Sequence, residues 1–465
     1  MRSNGLKLAE QRMREAGQPD GAIRSFARAY ERLVSGEATL LASDELEPVA
    51  DAPALDELAA VDAAVALAPV AVIKLNGGLA TSMGLRQPKS LVEVLAGRSF
   101  LEIIVGQTLA LRDRLGISLP LLLMDSEATR AETLRALGEH AQIGGELAPD
   151  FLQSMVPKLD AATSAPVSWP REPALEWCPP GHGDVYGALE RSGLLETLLD
   201  RGLRYAMISN ADNLGATPDP RIAAHLAATG APFLMEVVEG TAADRKGGHI
   251  ARRKTDGMLV LRETAQTPPE DEESFRDYRR WRYYNTNNLW VDLAALRDRL
   301  ATAGGILDLP LIVNHKTVDP RDSGSTPVLQ LESAMGAAIS SFAGARILCV
   351  PRTRFAPVKT TDDLLLLRSD IYSLSDDMRV VLAASRADDL PLVELDPRYY
   401  KLLDDFEARF PAGPPSLLEA QRLAIRGDVT FGAGVVVRGD VEIATDAPRR
   451  IEDGTVLRGP AAQAG

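Results

Sequence analysis

The strongest constraint on what this chain can fold into is one abrupt change of texture near its first quarter. The apolar, β-branched run Val70-Ala71-Val72-Ile73 passes through Lys74-Leu75-Asn76 into Gly77-Gly78-Leu79-Ala80-Thr81-Ser82-Met83-Gly84. Pro88-Lys89-Ser90 and a second apolar run, Leu91 to Leu95, follow. The first run predicts a buried strand. Glycines directly after it make a loop whose backbone N–H groups can close around phosphate oxygens, because no Cβ keeps the backbone away. Lys89 adds mobile positive charge to that loop. It is not a Walker A loop, since Pro88 stands where glycine must precede Lys-Ser, and Gly77, Gly78 and Gly84 lack the G-x-G-x-x-G spacing of a dinucleotide fingerprint.

Downstream, Ser99 to Leu115 reads as a helix and Leu119 to Met124 as a strand closed by Asp125-Ser126. Strand, helix, strand at this spacing is a βαβ unit, which predicts a parallel sheet flanked by helices. A further apolar strand, Arg204 to Ser209, delivers Asn210, Asp212 and Asn213 at its carboxyl end, where ligands bind in open α/β sheets. A carboxylate there, near a phosphate loop, is the hard oxygen donor that Mg²⁺ prefers. Phe233 to Val238 and Met258 to Leu261 predict antiparallel strands extending the sheet, and the acidic segment Pro268 to Ser274 predicts a solvated loop.

Three further stretches carry candidate ligand groups. In Pro179-Pro180-Gly181-His182-Gly183-Asp184, the prolines and glycines force an irregular loop; His182 can offer an N–H to an anion, and Asp184 is placed to cap a helix beginning near Val185. Asn285, Asn287 and Asn288 stand just before an apolar strand, and amides that donate and accept at once suit sugar hydroxyls, as does the carboxylate of Glu332. Lys359 precedes a helix that Thr361 or Asp362 can cap, so cation and helix dipole would both favour a phosphate.

The two ends differ from the middle. Residues 1–68 show apolar positions at three- and four-residue intervals, among them Ile23, Phe26, Tyr30 and Leu33, and predict an amphipathic helical lead-in. In the tail, Leu423, Val429, Val435 and Val441 recur every six residues and Gly-Asp-Val occurs twice, which predicts a few rungs of parallel β-helix. The expected division is therefore a helical segment at 1–68, an α/β domain at 69–395 that carries the candidate ligand groups and a C-terminal domain at 396–465 that serves packing or assembly.

A length of 465 residues exceeds what one core usually organises, in keeping with several domains. The net charge of −14 argues against a nucleic acid polymer as partner, although a nucleotide needs only a local cluster of cations and N–H donors. Cys178 and Cys349 are too few for a disulfide framework and read as packed thiols. No window is apolar enough to span a bilayer and the first residues lack a signal peptide's apolar centre, so no membrane association and a cytoplasmic location are expected.

The glycine loop with Pro88-Lys89-Ser90, the Pro179 to Asp184 loop, Asp212-Asn213-Leu214-Gly215-Ala216, Asn285-Thr286-Asn287-Asn288 and Pro357-Val358-Lys359-Thr360-Thr361 occur in the same order as in the eukaryotic-type UTP–glucose-1-phosphate uridylyltransferases, which the chain resembles from about residue 70 to its tail. The resemblance implies an α/β fold, a Rossmann-like (GT-A-like) nucleotidyltransferase with a mixed sheet flanked by helices and a short C-terminal left-handed parallel β-helix. It implies conversion of UTP and glucose 1-phosphate to UDP-glucose and pyrophosphate with Mg²⁺. Lys89 and Lys359 resemble the two catalytic lysines that contact phosphates, and Asp212 the metal-binding aspartate. Leu75, Asn76, Gly77 and Gly78 resemble substrate-binding loop positions, Gln153 and Gly181 uracil contacts, His182 a sugar-phosphate contact, and Asn210, Asn287 and Glu332 hexose contacts. The C-terminal β-helix would be the surface for a homo-oligomer. Two positions depart from the family pattern, Ala80 for glycine and Ala211 for serine. A relative acting on N-acetylhexosamine 1-phosphate, or on several sugar 1-phosphates, is the alternative; a non-catalytic UDP-sugar sensor is disfavoured by the presence of both lysines and Asp212.

Overall fold

In the computed structural model, which describes residues 2–36, 40–79, 83–84, 87–386 and 390–459, the Val70–Leu75 strand is buried along almost its whole length. It sits inside a ten-stranded mixed sheet among the described residues. A strand covered on both faces has no polar face to alternate with, which explains its unbroken apolar run. Ala80 lies outside the described residues.

Four strands of this sheet run parallel, in the spatial order Asp150–Leu152, Leu121–Asp125, Val70–Leu75, Tyr205–Asn210. The chain starts at Val70–Leu75, builds outward for two strands, then returns to the other side of its first strand. The order therefore reverses between Val70–Leu75 and Tyr205–Asn210, and a crevice opens at the carboxyl ends of strands flanking such a switch. Antiparallel partners extend the sheet: Tyr283–Asp292 pairs with Tyr205–Asn210 and with Phe233–Glu239, and His249–Arg253 pairs with Leu259–Arg262. Phe233–Glu239 is also joined in parallel by Arg346–Cys349.

The chain divides into two compact units. The first comprises Met1–Gly77, Leu115–Asn210 and Pro218–Arg352 and contains the ten-stranded sheet. Its main core packs Ala71, Ile73, Leu122, Met124, Ile208, Met235 and Leu289 of the sheet against Val185, Tyr186, Leu189 and Leu296 of helices. A satellite core holds Ala9, Met13, Ile23, Phe26 and Tyr30 of the N-terminal helices against Val156, Leu159 and Leu331. The second unit comprises Gly78–Arg114, Ala211–Thr217 and Thr353–Gly465. In it, Ser416–Arg426 pairs in parallel with Val436–Ala444, which pairs in parallel with Val456–Arg458, and Val429–Phe431 pairs in parallel with Arg449–Ile451. Leu423, Val429, Val435 and Val441 are all buried, and Phe410 stacks on Phe431 with ring centroids 5.0 Å apart.

Several local expectations need correction. Within residues 1–68, Leu46–Pro48 forms a strand on His249–Arg253, a pairing too short to leave a periodic trace in the sequence. The three asparagines lie inside the Tyr283–Asp292 strand rather than ahead of it. Pro268 to Ser274 is not simply solvated: it forms short helical turns, and Asp271 accepts a 3.0 Å hydrogen bond from Nη2 of the fully buried Arg262. Asp184 stands at the start of its helix without capping it, because Arg191 Nη2 at 2.6 Å and the Ser154 N–H at 2.7 Å claim its carboxylate. The helix after Lys359, Thr361–Arg368, is capped at Thr360, with the Asp363 carboxylate accepting from the Thr360 N–H at 2.9 Å.

Candidate functional site

In the first unit, the candidate residues gather where strands end. Asn210 lies opposite Leu75 in the parallel register, so both sit at the switch point of the sheet. The next residue, Asn76, turns its side chain inward: Nδ2 donates to Asp125 Oδ1 at 2.7 Å and to Thr133 Oγ1 at 2.9 Å. What Asn76 offers outward is therefore backbone, while its amide fixes the turn. Asp125 is fully buried, and burial pushes its carboxyl up to about 6 despite the hydrogen bonds from Asn76 and Thr129. Asp125 also organises the adjacent segment, since its carbonyl accepts from the Gln153 N–H at 2.8 Å. Gly77 then packs against the Gln153 side chain so closely that an added Cβ would overlap Nε2 and lie 2.7 Å from Cδ. Two residues 76 positions apart in sequence thus share one wall.

A second group is assembled by two loops that clasp each other. The Gly183 N–H donates to the Ser333 carbonyl, and the Ser333 N–H donates to the Pro180 carbonyl, both at 2.9 Å. Gly181 between them has φ 81° and ψ 169°, a conformation open to glycine and few other residues. His182 accepts at Nδ1 from the Met335 N–H at 3.0 Å, which places the ring proton on Nε2 in the neutral form and makes that nitrogen a donor. Glu332 ends its strand beside this clasp; burial pushes its carboxyl above the usual range, opposed by the Asn314 side chain and the charge of Lys316. The same 332–336 turn reaches the asparagine cluster, where a Cβ on Gly336 would come within 2.9 Å of Asn285 Nδ2. Asn285 and Asn287 are tied to each other, Nδ2 to Oδ1 at 2.9 Å and Oδ1 from the Asn287 N–H at 2.8 Å. Asn287 has φ 57°, the left-handed conformation that asparagine tolerates better than most residues.

In the second unit, two charged residues expected from sequence meet, and the backbone beside a third is tied to one of them. Lys89 Nζ lies 2.7 Å from Asp212 Oδ2, although 123 residues separate them. The Asp212 carbonyl accepts from the Val358 N–H at 3.2 Å, which fixes the backbone immediately before Lys359. Asn213 completes the joint: Nδ2 donates to the Arg354 carbonyl at 3.0 Å and Oδ1 accepts from the Ala356 N–H at 3.1 Å. Gly78 joins the group through its carbonyl, which accepts from the Lys89 N–H at 3.1 Å. Lys359 itself is exposed, and its N–H donates to Asp363 at 2.7 Å. Ala211, the departure from serine, is a buried residue at the start of this segment.

The other Asp212 oxygen, Oδ1, is buried and has no hydrogen-bond partner. An orphaned carboxylate oxygen beside a lysine ammonium fits a hard divalent cation. No group of three or more His, Cys, Asp or Glu that could hold a metal occurs among the described residues. Magnesium suits that arrangement, since it commonly takes one or two protein carboxylates and completes its shell with water and substrate phosphates.

Outside these groups, Cys178 is a buried free thiol pushed up to about 12 by burial, and Cys349 is also free. Among the described residues no helix is long and apolar enough to cross a membrane. Sequence reasoning missed the structural weight of Asp125; the available signal was a carboxylate ending an otherwise wholly apolar strand. It also missed Glu236, the one charged residue in Phe233 to Val238.

Comparison with known proteins identifies the family. The family profile described as UTP–glucose-1-phosphate uridylyltransferase matches residues 23–438. The chain is 39% identical to the UTP–glucose-1-phosphate uridylyltransferase of Hordeum vulgare, over 98% of this chain and 95% of the barley protein. Among solved structures it is similar to UDP-glucose phosphorylase from Trypanosoma brucei, with a TM-score of 0.92 and 41% identity over 98% of both chains. A variant UDP-glucose pyrophosphorylase from Leishmania major, in complex with UDP-glucose, matches at TM-score 0.91 and 41% identity over 98% of both chains. The joint of Lys89, Asp212 and the segment before Lys359 thus stands in a chain that belongs, on profile, sequence and fold together, to the UTP–glucose-1-phosphate uridylyltransferase family.

Proposed function

We propose that this chain transfers the uridylyl group of UTP to glucose 1-phosphate, releasing pyrophosphate and forming UDP-glucose. A phosphate oxygen of the sugar phosphate attacks the α-phosphorus in line; the bond from that phosphorus to the β-bridging oxygen breaks, and its electron pair leaves with pyrophosphate. No protein nucleophile is needed, so the side chains act by positioning and by offsetting negative charge. The observation that carries this reading is the Lys89–Asp212 contact at 2.7 Å, on a carboxylate whose other oxygen has no partner and whose backbone anchors the segment leading to Lys359.

The roles divide by group. Lys89, Lys359 and the N–H groups of the Gly77-Gly78 turn bind phosphate oxygens. Gln153 and Gly181 bind uracil against Leu75 and Asn76. His182 donates Nε2–H to the sugar phosphate, and Asn210, Asn287 and Glu332 take the hexose hydroxyls. Asp212 would hold Mg²⁺, which when bound supplies charge neutralisation for the triphosphate. The C-terminal parallel ladders, in which Ser416 pairs with Val436 and Val436 with Val456, support a short left-handed β-helix that could carry homo-oligomer contacts. We retain the division into a helical segment at 1–68, a catalytic domain at 69–395 and a C-terminal domain at 396–465, a Rossmann-like, GT-A-like catalytic fold, and a cytoplasmic location, as parts of the same proposal.

Pyrophosphate release with UTP, Mg²⁺ and a panel of sugar 1-phosphates tests the reading. Turnover with glucose 1-phosphate well above that with N-acetylglucosamine, galactose and mannose 1-phosphates supports it. Preference for an N-acetylhexosamine 1-phosphate, or release with none of the panel, overturns it.

A further inference from the structure

The strand that carries Asn287 is not a regular strand. Met235 lies opposite Leu289, but Val237 lies opposite Asn285, so two steps on one strand are matched by four on the other. The surplus residues bulge, and Asn287 sits in the bulge with its left-handed backbone. Bulges re-aim side chains out of a ladder.

Beneath the bulge lies Glu236, fully buried. Three alternate residues of the bulged strand donate to it. Thr286 Oγ1 reaches its carbonyl at 2.7 Å, Asn288 Nδ2 reaches Oε2 at 3.2 Å, and Trp290 Nε1 reaches Oε1 at 2.9 Å. Meanwhile Asn285 and Asn287 bond to each other. The strand is therefore split into a row pinned to Glu236 and a pair left to face elsewhere. Burying a carboxylate is costly unless its oxygens are bonded, and an apolar side chain of similar volume would fill the space without that cost. What the carboxylate provides and a leucine cannot is a pair of fixed acceptors. A related contact lies nearby in the sheet, where Lys74 Nζ donates to Ser209 Oγ at 2.8 Å immediately before Leu75 and Asn210 respectively.

We infer that Glu236 is a positioning residue for sugar 1-phosphate binding: by holding Thr286, Asn288 and Trp290 it fixes the bulge that presents Asn287. The inference rests on the reading of Asn287 as a hexose contact. It acts through another residue, so its signature is selective. Loss of the pinning weakens glucose 1-phosphate and leaves UTP alone.

The test is steady-state kinetics of the full chain with three variants and one combination. Glu236→Leu removes both side-chain acceptors; Trp290→Phe keeps the buried charge and an aromatic ring and removes one donor to the carboxylate, so it remains informative if the first variant fails to fold. Trp290→Phe should raise KM for glucose 1-phosphate about threefold to tenfold, the equivalent of one net hydrogen bond, with KM for UTP changed less than about twofold. Glu236→Leu should raise it further with the same selectivity. Asn287→Ala should raise KM for glucose 1-phosphate, and adding Trp290→Phe to it should change nothing more, because the pinned group is gone. If Asn287→Ala leaves that KM unchanged, the hexose reading of Asn287 fails. If Asn287→Ala raises it but Trp290→Phe moves both KM values alike, moves neither, or adds fully to Asn287→Ala, the positioning role of Glu236 is overturned.

Discussion

Replacing Gly181 by alanine tests the clasp between the 180–183 loop and the 332–335 turn. Two effects add. The backbone at φ 81°, ψ 169° lies in a region nearly restricted to glycine, so any side chain there costs about 1–3 kcal/mol. The new Cβ would also overlap the Ser333 carbonyl oxygen and lie 2.7 Å from Ser333 N, and both are backbone atoms that cannot swing aside. Ser333 must move, which strains the paired 2.9 Å bonds from Gly183 N–H and to Pro180, worth roughly 0.5–1.5 kcal/mol each. A loss of about 2–6 kcal/mol follows, and at roughly 2–4 °C per kcal/mol the melting midpoint should fall by at least about 4 °C. Because Glu332 and His182 flank the displaced atoms and Gly181 is itself assigned to uracil, KM for both glucose 1-phosphate and UTP should rise, the former at least about tenfold, in whatever folds. Scanning calorimetry and pyrophosphate release on the same preparation read both effects. A Gly181→Ala protein with the parent's midpoint and the parent's KM would refute the account of the clasp.

Gly77→Ala should act on the nucleotide alone: its Cβ would displace the Gln153 side chain, so KM for UTP should rise about tenfold with little change in midpoint, measured by initial rates at saturating glucose 1-phosphate. Asp212→Asn and Lys359→Ala should each lower turnover by about two to three orders of magnitude while far-ultraviolet circular dichroism is retained; near-parent turnover in either variant would remove that residue from the mechanism. Asp125, held at about 6 against an ordinary carboxyl near 3.8, keeps its proton longer folded than unfolded. Its contribution to stability therefore falls as pH rises from about 4 to 6 and stays at that lower level above, a change of about 3 kcal/mol. Asp125→Asn cannot ionise, so the stability difference between variant and parent should climb across that window in urea titrations; a difference flat from pH 4 to 7 would place the ionisation elsewhere.

The parts of the fold legible in sequence were those written in local texture. Val70–Leu75 is a strand because its run is apolar and ends in glycine, and Phe100–Leu115 is a helix because its apolar positions repeat at helical spacing. Lys89 and Asp212 were legible as types in telling settings, but nothing local says that they touch across 123 residues. Asp184 shows the limit well. It stands where a cap belongs, and Arg191, two helical turns later, outbids the helix end for its carboxylate. The Asn287 bulge was illegible for a related reason: a mismatch of register belongs to two strands at once, and the partner, Glu236, sits 51 residues away in a stretch that reads as core. Leu46–Pro48 offers three residues, too few for any period to emerge.

The ion pair at Asp212 has a consequence for how the protein can be loaded. A cation approaching Oδ1 of that carboxylate meets an ammonium group already resting on Oδ2, so two like charges must share one anion. That crowding is relieved when Lys89 finds another anion to rest against, and a triphosphate is such an anion. Metal and nucleotide should therefore help each other in, each weak alone and stronger together, with the same coupling read from either side.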